Sequence, residues 1–142
     1  MNRLLLACLI APLGQVAEAA PMPRLDKAAP TLCPATDNGT WNPSAAQVAA
    51  LEKSLPAFFA ASKAASDQLP DSRHVYRWQY SGYSYRGQRR IFASFYPAAD
   101  PLTAAIKPGT CMSFSDGGNA FWHLEFDPRS GKVVRLQVNG VA

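Results

Sequence analysis

A length of 142 residues gives room for one domain, and the formal charge of +4 favours anionic partners over cationic ones. Outside the N-terminus no apolar run reaches the roughly 20 residues of a membrane-spanning helix, which excludes such a span in the mature chain. Cys33 and Cys111 each lack a second ligand at zinc spacing, so the sequence implies no metal and no other cofactor.

The chain opens with a short positive region, Met1-Asn-Arg3, an apolar stretch over 4–13, and the small-x-small site Ala17-Glu18-Ala19. That grammar predicts a secretory signal peptide at 1–19, cut after Ala19, and a periplasmic or secreted mature protein. Leu5-Leu-Ala-Cys8 has the look of a lipobox, but Cys8 comes too early to leave a normal apolar segment before it. Loss of the signal leaves two cysteines in an oxidising compartment, where a Cys33–Cys111 disulfide is expected. The bond would tie the N-terminal tail to the sheet.

Residues 20–41 form an irregular leader rich in Pro and Ala, and 42–142 a single α+β domain. Pro21, Pro23, Pro30 and Pro34 forbid a continuous helix in the leader. Trp41 is expected to pack under the first helix. Ser44 with Gln47 makes a capping box, and Val48, Leu51, Leu55 and Phe58 trace one apolar stripe. Pro56 predicts a kink or two abutting helices. In 74–80, His74, Tyr76, Trp78 and Tyr80 alternate with more polar residues, which predicts a half-buried strand with its aromatics inward.

A second strand is predicted over 90–96 before Pro97, a short helical turn over 102–106, and a third strand over 110–114. The best-determined element is the final hairpin. Two alternating runs, 120–126 and 133–138, flank Asp127-Pro-Arg-Ser-Gly-Lys132, whose Asp, Pro and Gly suit a tight turn. Keeping both apolar sets inward calls for a bulge, for which Gly131 is the candidate. The expected fold is one kinked helix on an antiparallel meander of about five strands, cystatin-like in outline.

Gln79-Tyr80-Ser-Gly82, Cys111, Gly117-Gly118-x-x-Phe121-Trp122-x-x-x-Phe126-Asp127 and Leu136-x-x-Asn139-Gly140-x-Ala142 together resemble small exported bacterial proteins of unknown function. The resemblance spans 41–142. It implies a fold and an envelope address, and carries no catalytic residue with it.

Among chemical candidates, His123 and Glu125 lie two apart on one strand, opposite Arg135 and Gln137. With Asp116 they are the candidate set for a small secreted hydrolase. The plainer reading is a solvated face with a cross-strand attraction between Glu125 and Arg135. Asp116-Gly-Gly-Asn119 reads as a turn before an anion cradle, because it lacks the lysine and helix of a phosphate loop. Gly-x-Ser-x-Gly is absent.

The strongest functional signal is basic. Arg73, Arg77, Arg86, Arg89 and Arg90 fall within 72–99 with no acidic residue among them, interleaved with aromatics. Such interleaving occurs in nucleic-acid binders, but an exported protein meets acidic protein surfaces or anionic envelope polymers instead. Arginines guarding a sheet edge are the competing explanation. The sequence therefore reads as a non-catalytic binding module of the cell envelope, of the inhibitor, immunity or accessory kind. A small hydrolase is the alternative, and a structural accessory protein without a dedicated site comes third. No pattern in the sequence encodes an oligomeric state.

Overall fold

The computed structural model of the chain describes residues 18–34, 41–107 and 109–140, so the expected signal peptide lies outside it apart from residues 18 and 19. Two short strands come first, β1 (Arg24–Leu25) and β2 (Thr31–Leu32). They are followed by α1 (Ala45–Ala61) and two long strands, β3 (Val75–Tyr85) and β4 (Gln88–Pro97). A single turn of helix, α2 (Pro101–Ala104), precedes β5 (Trp122–Asp127) and β6 (Lys132–Val138).

Ser44 caps α1 as expected. Its hydroxyl accepts the Gln47 N–H at 3.3 Å, and the Gln47 side-chain oxygen accepts the Ser44 N–H at 2.9 Å. Helical structure is continuous across Pro56, so two abutting helices are not seen. Proline removes only one ladder bond, and Leu51, Leu55 and Phe59, at most 1% exposed, hold both halves against the sheet. The buried stripe is Val48, Leu51, Leu55 and Phe59; Phe58 is only half-buried beside it.

The sheet is α1's platform. Its order is β1-β3-β4-β5-β6, with β2 also paired to β3, and it curls into a half-barrel. β3 to β6 form an antiparallel meander of four strands, not five. The segment 110–114, expected as a strand, is not one. β4 already has β3 and β5 on its two sides, so no edge is left for that segment there. It lies instead over the face opposite α1, where Phe114 packs on Tyr96 and Phe121 at ring distances of 5.4 and 4.9 Å.

The leader is not irregular throughout. β1 and β2 run parallel to β3, in registers Arg24↔Val75 and Thr31↔Gln79. The Asp26 and Cys33 N–H groups donate to the Tyr76 and Tyr80 carbonyls at 2.7 Å each. A long edge strand has backbone groups to satisfy, and an extended Pro-rich chain is well suited to supply them. Cys33 bonds Cys111 with Cα atoms 5.6 Å apart, as the cysteine count predicted.

Alternation sends Tyr76 and Trp78, Ile91, Ala93 and Phe95, and Trp122, Leu124 and Phe126 toward α1, all buried. Trp122 stacks on Phe95 at 3.7 Å and meets Tyr76 and Phe59 edge-on at 5.5 and 6.0 Å. Such ring pairs add about 0.5–1.5 kcal/mol each beyond their burial. The final hairpin forms as predicted, but its bulge does not sit at Gly131. Register shifts between Glu125 and Phe126, leaving Val134 unpaired and 47% exposed while Val133 turns inward. Gly131 serves the turn instead, at φ 67°.

Candidate functional site

Arg86 and Gly87 form the two-residue turn between β3 and β4, with φ of 50° and 74°. Two consecutive positive φ angles match the twist of a tight hairpin. Arg86 is the one non-glycine with positive φ among the described residues. The turn holds its guanidinium 5.2 Å over the exposed Tyr85 ring. Arg89 stands 5.2 Å over the ring of Trp41.

Trp41, expected to pack under the first helix, packs against the core that α1 covers; its backbone is bridged to Gly82 and its indole N–H donates to the Tyr83 carbonyl at 3.0 Å. Gly82 permits this approach because a Cβ there would collide with the Trp41 carbonyl oxygen. Trp41 is thereby a perch for a cation at the open end of the sheet.

The five sequence-marked arginines do not gather into one surface. Arg77 and Arg86 are nine residues apart along an extended strand, roughly 30 Å at strand rise. Arg73 binds Asp71 at 2.6 Å, Arg77 binds Asp26 at 2.9 Å, and Arg90 binds Asp127 at 3.1 Å. The Arg73 guanidinium, with its backbone N–H, holds the Asp71 carboxyl down to about 2. The bond from Arg77 likewise lowers Asp26. Burial pushes Asp127 up, but the Arg129 N–H and the Arg90 charge outweigh it and leave the carboxyl below its ordinary value. Among the described residues, Arg86 and Arg89 have no carboxylate partner.

The β5–β6 turn stands at the same end of the sheet, since Ile91 near the start of β4 pairs with Phe126 near the end of β5. Asp127 accepts the Arg129 N–H at 2.9 Å and shapes that turn. Gln88, Asp127, Arg129 and Ser130 line a shallow depression of about 300 Å³. Arg86, Arg89, Arg129 and Lys132 thus stand at the same end of the sheet, the basic rim, where Asp127 is engaged by Arg90.

His123 and Glu125 share the face opposite α1. Glu125 pairs across the strand with Arg135 at 3.4 Å, the attraction the spacing predicted. His123 packs on Phe92 at a ring distance of 5.0 Å, and burial lowers its pKa. Tyr83, one of the aromatics interleaved with the arginines, joins this group. Burial and a hydrogen bond to Glu125 push its hydroxyl up to about 12. Asp116 lies in the loop before β5 and is tied in through its backbone carbonyl, which accepts from the Asn139 amide at 3.1 Å. No three His, Cys, Asp or Glu side chains among the described residues are grouped to hold a metal ion.

The Gly-Gly, Phe-Trp and Asn-Gly motif residues form a clasp. The Asn139 amide donates to the Phe114 carbonyl at 2.9 Å, and the Gly118 N–H to the Gly140 carbonyl at 3.0 Å. Gly117, at φ 99°, has no room for a Cβ against the Phe121 ring. These residues lock the crossing loop onto the end of β6. No family model, curated protein or solved structure matches the chain.

Proposed function

We propose that the chain is an exported, non-catalytic binding module of the bacterial cell envelope, of the inhibitor, immunity or accessory kind. Its basic rim meets an anionic partner, an acidic protein surface or an anionic envelope polymer. The observation that carries the reading is the pair Arg86 and Arg89. Both lie over aromatic rings without a carboxylate among the described residues, whereas Arg73, Arg77 and Arg90 are neutralised. Arginine, tyrosine and tryptophan are the residue types that dominate binding energy at interfaces.

The Cys33–Cys111 bond supports an oxidising, periplasmic or secreted address. No helix of the described residues is long and apolar enough to cross a membrane. The motif resemblance to small exported bacterial proteins belongs to the same reading. So does the cystatin-like outline, one helix on an antiparallel meander, which is a likeness of architecture and not of activity.

Edge guarding has less support, because β1, β2 and the Trp41–Gly82 bridge already occupy much of the outer edge of β3. A hydrolase using His123, Glu125 and Asp116 also has less support, since Glu125 is held by Arg135 and Asp116 joins through its backbone.

Capture of partners from envelope extract by the mature protein and by an Arg86→Ser/Arg89→Ser variant tests the reading. The variant should lose capture and flatten its salt dependence. Stability should stay within about 0.5 kcal/mol of the parent, as for exposed sites generally. Aggregation of the variant with unchanged capture would make the arginines edge guards and refute the proposal.

A further inference from the structure

We infer that the open edge of β6, with the groove between it and the end of α1, accepts an extended acidic segment of a partner protein as an added strand. This rests on the reading that the partner is anionic, and narrows it to a polypeptide.

The sheet has two edges, treated differently. The outer edge of β3 is occupied by β1, β2 and the Trp41 bridge, while among the described residues β6 pairs only with β5. The Asn139 N–H donates toward β5, to the Phe121 carbonyl at 2.8 Å. Backbone groups alternate along an antiparallel strand, so those of residues 137 and 135 also face β5 and those of Leu136 and Val138 face outward. They are a ready template for one more strand.

Beside that edge lies a groove of about 500 Å³, walled by Phe58, Ser62 and Gln68 on one side and by Leu136 and Val138 on the other. An added strand would place alternate side chains over this partly apolar groove. The others would fall on the opposite face, where Lys132 and Arg135 project. Residues 128–140 contain Arg129, Lys132 and Arg135 and no carboxylate. Arg135 is 59% exposed, and its bond to Glu125 is long, at 3.4 Å. The complementary strand therefore alternates apolar and acidic residues.

A second copy of this chain does not complement these charges, because residues 128–140 would bring further cations and no carboxylate to the edge. The Val134 bulge and Lys132 are devices that discourage indiscriminate edge pairing. Beyond the bulge, the stretch from Leu136 to Val138 keeps a regular edge, and acidic side chains turn the guarding cations into contacts.

The test uses the mature protein and a short synthetic peptide alternating Glu with Val, together with a Lys-for-Glu peptide and a Pro-interrupted one. The Glu peptide should slow amide exchange at Leu136 and Val138, and the two control peptides should not. Ser62→Trp, which fills the groove without touching the backbone of β6, should weaken the Glu peptide at least about tenfold while leaving the melting temperature unchanged. If the Glu peptide perturbs only residues around Arg86 and Arg89, the edge is not the site, although the basic rim stands. Protection of β6 that rises with protein concentration alone would mean self-pairing and overturn the inference. Absence of any peptide effect overturns it as well, leaving the rim to its own capture assay.

Discussion

Replacing Cys33 and Cys111 by serine cuts the tie between the end of β2 and the loop that crosses the sheet. The bond spans 78 residues of sequence. Closing a loop of that length removes about 4.5 kcal/mol of unfolded-state entropy in the chain-entropy treatment. Part of the tie survives without it. The Gln79 side chain, only 7% exposed, accepts the Met112 N–H at 2.9 Å and donates to the Met112 carbonyl, so the loop stays pinned one residue beyond the lost bond. Since native contacts persist, the loss should fall almost wholly on the unfolded-state side. Measured losses in other proteins run somewhat below the entropic value, which sets the expectation at about 3 kcal/mol and a fall of roughly 10 °C in Tm for a domain of this size. Urea and thermal unfolding of the parent and the double-serine variant, under matched non-reducing conditions, measure it. Equal melting of the two proteins would refute the reasoning. Labelling of both thiols in denatured, unreduced parent protein would refute the bond itself.

Asp71 titrates with a defined sign. Its carboxyl is lowered from 3.8 to about 2 by Arg73, so folding favours the ionised form. The contribution is complete above the unfolded value and is lost as pH falls toward about 2. The whole shift corresponds to about 2 kcal/mol; with Arg73 85% exposed to solvent, about 1 kcal/mol is expected. Asp71→Asn should remove that much stability at neutral pH and flatten the acid limb between pH 4 and 2, and parallel acid limbs would refute it. Gly82→Ala drives a Cβ into the Trp41 carbonyl oxygen, whereas Gly140→Ala meets open space. The first should cost about 2 kcal/mol and release Trp41 to solvent in its fluorescence, while the second should be close to neutral. Equal melting temperatures for the two would contradict the close approach.

The sequence alone determined what depends on neighbours a few residues away. Ser44 and Gln47 specify a helix start because both bonds of the box lie within one turn. Alternation in 74–80 and 122–126 names the buried aromatics, since successive side chains on a strand point to opposite faces whatever the partner. Asp127, Pro128 and Gly131 suffice for the last turn, and the two cysteines left after the expected signal peptide suffice for their own pairing. Only the tertiary structure decided what depends on which strands share an edge. β1 and β2 are too short to show periodicity, and form because β3 presents unsatisfied backbone groups to the leader. The bulge falls at Val134 because Phe126 must be matched by Val133 within the core, a condition no local turn preference expresses. Asp26 reaches Arg77 across 51 residues of sequence, and Asp127 reaches Arg90 from β5, so a run of arginines without adjacent acids looked more positive than it is. The same folding brings Trp41 beneath Arg89. Charge is conserved along the chain, but its neutralisation is set by three-dimensional proximity, and that left the basic rim at Arg86 and Arg89 rather than across all five arginines.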